Sequence, residues 1–109
     1  MAFFGYARSQ SYKEAYDLFV LAQEEGYIEA TNCLGKMYLT GEGLRQDYDK
    51  AYHFFQTTAA NSHPDGLYWS GHMIESGTAP NTKYWSQQER VTKAKYYYDL
   101  AAKQLQPDA

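Results

Sequence analysis

The residues with the most reactive side chains in this 109-residue chain are three histidines, His53, His63 and His72, and one cysteine, Cys33. Histidine and cysteine are the usual ligands of structural zinc, which needs them at short, regular spacings. No two of these histidines are four residues apart, and the cysteine is distant from all of them in the sequence. The sequence therefore predicts no metal site and no cofactor.

The tripeptide His63-Pro64-Asp65 resembles the signature of J-domain co-chaperones, in which it lies between two helices. In that family a basic helix precedes the tripeptide, whereas residues 52–61 of this chain contain no lysine or arginine. Residues 27–30 and 106–109 occupy the same position in the repeat described below. An inter-helix turn is therefore the favoured interpretation, and a J-like co-chaperone is a distant alternative.

No catalytic pattern stands out elsewhere in the chain. Cys33 lies beside Leu34 within a predicted helix, so we expect an inert, partly buried thiol rather than a nucleophile. A Ser-His-Asp order, a phosphate-binding loop and paired carboxylates are not evident. The sequence predicts that the protein is not an enzyme.

The composition is typical of one small globular domain, with 44% hydrophobic and 21% charged residues. The net charge is −3 and the densest basic pair is Lys93 and Lys95, so no nucleic-acid partner is expected. A single cysteine excludes an internal disulfide framework, and no apolar run reaches the roughly 18–20 residues of a membrane span. We expect a cytoplasmic location if this is the whole chain. A fragment of a longer protein could belong to the endoplasmic-reticulum lumen or be secreted.

Special residues recur along the chain at fixed offsets. A shift of 36 residues, followed by a shift of 43, returns small, aromatic and glycine residues to the same positions. Such periodicity is the signature of a repeat architecture. The recurring residues are Ala15, Ala51 and Ala94; Phe19, Phe55 and Tyr98; Gly35 and Gly71; and Gly41 and Gly77.

Each unit has the pattern of two helices, which predicts an all-α fold: an α/α superhelical solenoid of helix-hairpin repeats. We expect five helices in about two and a half repeats, arranged in a right-handed row. The predicted division is an apolar segment or partial repeat at 1–10, repeat one at 11–46 and repeat two at 47–85, with an insertion near 78–91. A partial repeat three follows at 86–109.

Local signals bound the predicted helices. Capping boxes at Ser11 and Ser86 and the acidic cap Asp47 begin first helices, and Pro64 begins a second helix. Seven inserted residues precede unit three, and part of this insertion is predicted to form one added helical turn. Glycines that favour left-handed backbone follow the helices at Gly26, Gly41, Gly43 and Gly77.

Two second helices contain a glycine in their middle, Gly35 and Gly71, at a cost of about 1 kcal/mol relative to alanine. We expect this cost to be tolerated because a β-carbon there would hold neighbouring helices apart. Helical spacing predicts the buried positions. They are Ala15, Leu18, Phe19, Ala22, Ala30, Leu34, Tyr38 or Met37, Ala51, Phe54, Phe55, Thr58, Ala94, Tyr97, Tyr98 and Ala101.

One run of residues resembles the signature of Sel-one-like repeats, relatives of the tetratricopeptide class: Ala30-x-x-x-Leu34-Gly35-x-x-Tyr38-x-x-Gly41-x-Gly43-x-x-x-Asp47-x-x-Lys50-Ala51. Tetratricopeptide repeats are the rival interpretation, but they lack the Leu-Gly followed by Gly-x-Gly. Unit two departs from the pattern at Ser70, Ile74 and Ala79. The resemblance implies an α-solenoid adaptor that assembles protein complexes.

Tyrosines one or two positions past the repeat alanine are predicted to point away from the paired helix, toward the concave face lined by first helices. Tyrosine is a common anchor in protein interfaces. The predicted binding strip on this face consists of Tyr16, Asp17, Val20, Gln23, Tyr52, His53, Gln56, Tyr96 and Asp99. A second candidate is a ridge on the insertion, Tyr84 and Trp85, which in the alternative interpretation covers the stack.

The predicted function is therefore a protein-interaction adaptor or scaffold, whose partner is another protein or a peptide segment. The alternative is a structural segment of a longer array that self-associates through uncapped ends. That alternative arises because solenoids usually need about three repeats and polar end caps.

Overall fold

The chain folds into helices that pack in sequence order. A computed structural model describes the backbone of residues 2–105 and the side chains of residues 11–105. Each helix packs on the next one along the chain. The predicted all-α solenoid fold is confirmed over these residues, which contain no strand. The helices are α1 (Ala2–Glu24), α2 (Ile28–Thr40), α3 (Tyr48–Ala60), α4 (Pro64–Ser76) and α5 (Gln87–Leu105), with a 3-10 turn at Thr82–Tyr84.

Short local signals set the helix ends. At the start of α3 the Asp47 carboxylate accepts a hydrogen bond from the Lys50 backbone N–H at 3.1 Å. At the start of α5 the Ser86 hydroxyl accepts one from the Glu89 backbone N–H, also at 3.1 Å. Gly77 ends α4 with a φ of +80°, which a residue with a side chain rarely adopts. The predicted turn at residues 106–109 lies outside the described residues.

The first helix differs from its prediction in two respects. It runs unbroken from Ala2 to Glu24, so Ser11 lies inside it and does not begin it. The capping-box pattern is present in the sequence, but the preceding residues continue the helix and leave no free amide group for Ser11 to cap. The expected boundary between residues 10 and 11 therefore falls within one helix. Leu18, predicted to be buried, is 65% exposed.

The core forms where an aromatic side chain of one repeat meets a glycine of the repeat before it. Phe55 of α3 is fully buried, and its ring lies against Gly35 of α2. The ring of Tyr98 in α5 lies against Gly71 of α4 in the same way. The central buried cluster consists of Ala51, Phe55, Met73, Ile74, Ala79 and Ala94. The glycines thus let successive repeats approach closely, as the sequence predicts.

The insertion before the third unit is partly helical. Ser86 precedes Ala94 by eight residues, whereas Asp47 precedes Ala51 by four, so α5 has one more turn at its start than α3. The predicted added turn is confirmed. The rest of the insertion is held by Thr82, which is 1% exposed and donates its hydroxyl proton to the Ala79 carbonyl at 2.7 Å.

Candidate functional site

The nine residues of the predicted binding strip do not form one uniform surface. All lie on the first helices α1, α3 and α5. Four of them are exposed: Asp17, His53, Tyr96 and Asp99. The other five are only half-exposed: Tyr16, Val20, Gln23, Tyr52 and Gln56.

Tyr16 does not point away from its paired helix, which corrects the prediction. Its hydroxyl lies 3.2 Å from the hydroxyl of Tyr38 in α2, and the two rings meet edge to face with centroids 6.3 Å apart. This hydrogen bond and, after it, partial burial raise the pKa of Tyr38 to about 12. The prediction failed because the position of a residue relative to the repeat alanine fixes only the direction of its Cα–Cβ bond. A long tyrosine side chain can still turn from that direction and reach the adjacent helix.

Tyr52 and Gln56 connect α3 to the helices that follow it. The Gln56 side-chain amide donates hydrogen bonds to the Ser70 hydroxyl in α4 at 2.9 Å and to the Tyr97 hydroxyl in α5 at 3.3 Å. Tyr52 packs against the central cluster. Burial and its contact with Tyr97 raise the pKa of Tyr52 to about 12. These two strip residues therefore position the helices as well as lining their surface.

An open groove of about 430 Å³ lies where α2 meets α3, and we call it the first groove. The Phe54 ring stacks on the Tyr38 ring, with centroids 5.7 Å apart and planes 16° apart. The Lys50 ammonium lies 5.3 Å from the centre of the Tyr38 ring. The first groove is lined by Tyr38, Asp49, Lys50, His53 and Phe54.

A second open groove, of about 320 Å³, lies where α3, α4, α5 and the insertion meet. The Lys93 ammonium lies 4.8 Å from the centre of the Trp85 ring, a distance at which a cation is attracted to an aromatic face. The Tyr96 ring meets the Tyr97 ring edge to face. This second groove is lined by Tyr52, Ile74, Trp85, Lys93, Tyr96 and Tyr97.

The two residues of the predicted ridge have different environments. Tyr84 is 76% exposed, and the Lys83 ammonium lies 5.1 Å from the centre of its ring. Trp85 is half-buried, packs against the central cluster and lines the second groove. The insertion thus supplies both a cover for the stack, through Trp85, and a projecting aromatic side chain, through Tyr84.

The structure brings together some of the predicted site residues and adds others. Tyr52 and Tyr96 meet Trp85 in the second groove, and His53 lines the first. Six strip residues line neither groove: Tyr16, Asp17, Val20, Gln23, Gln56 and Asp99. The sequence analysis did not assign seven groove-lining residues to a binding site: Tyr38, Asp49, Lys50, Phe54, Ile74, Lys93 and Tyr97. The lysines had a detectable signal, since Lys50 and Lys93 are separated by the same 43-residue offset as the repeat alanines.

The residues of the His63-Pro64-Asp65 tripeptide have structural roles at the start of α4. The His63 ring nitrogen Nδ1 accepts a hydrogen bond from the Asp65 backbone N–H at 3.2 Å, so His63 caps α4. The Asp65 carboxylate accepts a hydrogen bond from the buried Asn32 amide at 3.3 Å.

Within residues 11–105 no group of three or more His, Cys, Asp or Glu side chains is arranged to hold a metal ion. None of the described helices has the length and apolar character that crossing a bilayer requires.

Comparison with known protein families gives one match. The model of the Sel1 repeat matches residues 28–63 and 90–104. The first match spans α2, the following loop and α3, and it contains every residue that lines the first groove. The second match lies in α5 and contains Lys93, Tyr96 and Tyr97 of the second groove. No curated protein and no solved structure matches the chain.

Proposed function

Because the chain is a Sel1-like repeat protein, we propose that it is a protein-interaction adaptor that holds a segment of a partner along its first helices. Sel1 repeats generally mediate contacts between proteins. The observation that carries this proposal is the presence of two open, aromatic-lined grooves at successive repeat junctions. Aromatic side chains are enriched at the centres of protein interfaces because they bury a large area at low entropy cost.

Exposed side chains at the groove edges also support the proposal. Tyr96 is 62% exposed although it lines the second groove, and His53 is exposed at the first. These two residues are better test positions than Tyr16 and Tyr52, whose side chains pack against neighbouring helices. Truncating an exposed side chain removes partner contact area with little effect on the fold.

The experiment is a selection of peptides from a random displayed library, followed by affinity measurements on purified variants. We expect His53→Ala and Tyr96→Ala each to lower the affinity for the selected peptides about tenfold, the usual loss for an interface anchor. Tyr27→Ala is the matched control, since Tyr27 is 64% exposed and lies at the far end of α2, about 16 Å along the helix from Tyr38. Circular dichroism checks that each variant is folded. Selected peptides that bind both groove variants as tightly as the unchanged protein would refute the proposed binding face.

A second candidate function, self-association through one end of the stack, is favoured by the outer face of α1. Leu18 is 65% exposed and Leu21 is 59% exposed. Leu18 lies 36 residues before Phe54, which stacks on Tyr38 of the preceding repeat. Position 18 is thus the place where a preceding helix would pack.

Light scattering over a range of concentrations tests this candidate. Self-association through α1 predicts a mass that rises with concentration and returns to that of one chain in the variant Leu18→Lys/Leu21→Lys. The matched control is Leu105→Lys, because Leu105 is 71% exposed on α5 at the other end of the described chain. A mass equal to that of one chain at every concentration of the unchanged protein would exclude this candidate.

A further inference from the structure

The two grooves are built at equivalent positions of the repeat. Ile74 of the second groove lies 36 residues after Tyr38 of the first. Lys93, Tyr96 and Tyr97 each lie 43 residues after their first-groove counterparts, and the longer offset reflects the seven-residue insertion between them. The counterparts are Lys50, His53 and Phe54. The chain therefore presents the same arrangement twice in series.

In the second groove the insertion supplies the aromatic ring that contacts the lysine, a role that Tyr38 has in the first groove. In the first groove the lysine lies over Tyr38, but the equivalent residue of the second groove is the aliphatic Ile74. There the lysine lies instead over Trp85, which belongs to the insertion and has no counterpart in the first repeat. A lysine ammonium held over an aromatic ring is thus present in both grooves, although the ring comes from different parts of the chain.

The charge that both grooves share is positive. Asp49 lines the first groove, but its counterpart Thr92 carries no charge and does not line the second. Among residues 11–105 the ion pairs are Lys13 with Asp17 and Lys36 with Asp65, so neither groove lysine is paired with a carboxylate there. Each ammonium therefore remains available to an anionic group of a ligand, beside an apolar aromatic surface.

We propose that the two grooves bind two equivalent motifs of one extended peptide, each motif consisting of a carboxylate next to an apolar side chain. The carboxylate pairs with Lys50 or Lys93, and the apolar side chain covers the aromatic groove wall. This inference rests on the proposed function and specifies the chemistry of the partner. Two motifs on one segment gain affinity because the second binds at a high effective concentration once the first is bound.

The probes are fluorescein-labelled synthetic peptides whose binding is followed by anisotropy. One series carries two Glu-Phe pairs joined by a Gly-Ser linker that is lengthened one residue at a time. A second series carries a single Glu-Phe pair, and a third carries two Gln-Phe pairs of the same lengths. At the best linker length we expect the two-pair peptide to bind at least about tenfold tighter than the single-pair peptide.

Variants of the two lysines test the role of charge. We expect Lys50→Gln and Lys93→Gln each to lower the affinity for the two-pair Glu-Phe peptide about two- to fivefold. The double variant should lower it by about the product of the two factors. The same variants should leave the affinity for the Gln-Phe peptide unchanged. Lys95→Gln is the matched control, because Lys95 is exposed on α5 but does not line the second groove.

Three results would overturn the inference, and they bear differently on the proposed function. Equal affinity for Glu-Phe and Gln-Phe peptides that is still lost in Tyr96→Ala would leave the groove-binding function standing and remove the carboxylate requirement. Equal affinity for one and two pairs at every linker length would show that the grooves do not act together. Absence of binding by every Glu-Phe peptide would refute the proposed chemistry, while the library selection tests the binding face independently.

Discussion

The ring of Phe55 lies so close to Gly35 that a β-carbon on that glycine would stand 2.8 Å from the ring atom Cε1. Two further ring atoms would lie at 3.0 and 3.1 Å. Because Phe55 is fully buried, its ring has little room to move away. This contact joins repeat one to repeat two and sets their separation.

We predict that Gly35→Ala lowers the free energy of unfolding by about 1–3 kcal/mol, the usual cost of overpacking a core. The loss should appear even though alanine favours a helix by about 1 kcal/mol over glycine. Urea denaturation measures it. Combining Gly35→Ala with Phe55→Leu should cost less than the sum of the two single changes, since the smaller side chain makes room for the methyl group. Strict additivity would contradict the contact.

Substitution of Gly66 by alanine should be more destabilising than that of Gly35, because the atoms facing Gly66 include backbone atoms of α3. A β-carbon there would overlap the Thr58 hydroxyl and lie 2.7 Å from the Ala59 backbone nitrogen. A helix backbone cannot shift as a side-chain ring can, so we expect Gly66→Ala to cost more than Gly35→Ala, about 3 kcal/mol or more. The reverse order in parallel urea denaturations would show that α3 and α4 separate easily.

Three serine or aspartate positions should respond differently to alanine, although all three fit a capping pattern in the sequence. Asp47→Ala and Ser86→Ala each remove an observed helix cap and should lower the free energy of unfolding by about 1 kcal/mol. Ser11→Ala should cost nothing and could stabilise the helix by a few tenths of a kcal/mol, because residue 11 lies inside α1. Thermal denaturation compares the three. A loss at Ser11 as large as that at Ser86 would mean that the helix begins at Ser11 in solution.

The pKa values of Tyr38 and Tyr52, each raised to about 12, predict a fall in stability at alkaline pH. In the unfolded chain these hydroxyls lose their protons near the ordinary value of about 10. Between roughly pH 10 and pH 12 the unfolded state therefore binds fewer protons than the folded state. The stabilisation is complete below pH 10 and is lost as the pH rises toward 12.

Urea denaturation at a series of pH values between about 9 and 12 measures this dependence. Tyr52→Phe should make the decline shallower, because one of the contributing hydroxyls is gone. Tyr84→Phe is the control, since that ring is 76% exposed, and it should leave the decline unchanged. An identical slope in the unchanged protein and in Tyr52→Phe would exclude a contribution from Tyr52.

Much of the fold could be predicted because its signals are local. The offsets that relate Ala15 to Ala51 and Gly35 to Gly71 reveal the repeat, and helical periodicity within each unit reveals the helix pairs. Asp47 and Gly77 set helix ends through backbone groups within a few residues of themselves. The same locality explains the error at Ser11, where a valid cap pattern lies within a longer helix.

The candidate site could be predicted only in part, because a groove is formed by residues from several helices. The sequence identified Tyr52, Tyr96 and Trp85 as candidates, yet only packing brings them to one surface. Tyr16 reaches Tyr38 because side-chain direction depends on the adjacent helix as well as on helical register.

The sequence by itself determined the repeat, the number of helices over the described residues and the places where glycine permits close approach. These properties follow from residue type and spacing along one chain. Only the tertiary structure decided that Lys93 lies over Trp85 where Lys50 lies over Tyr38. That equivalence depends on how the insertion folds back onto α5, and residues brought together by such packing have no fixed separation in the sequence.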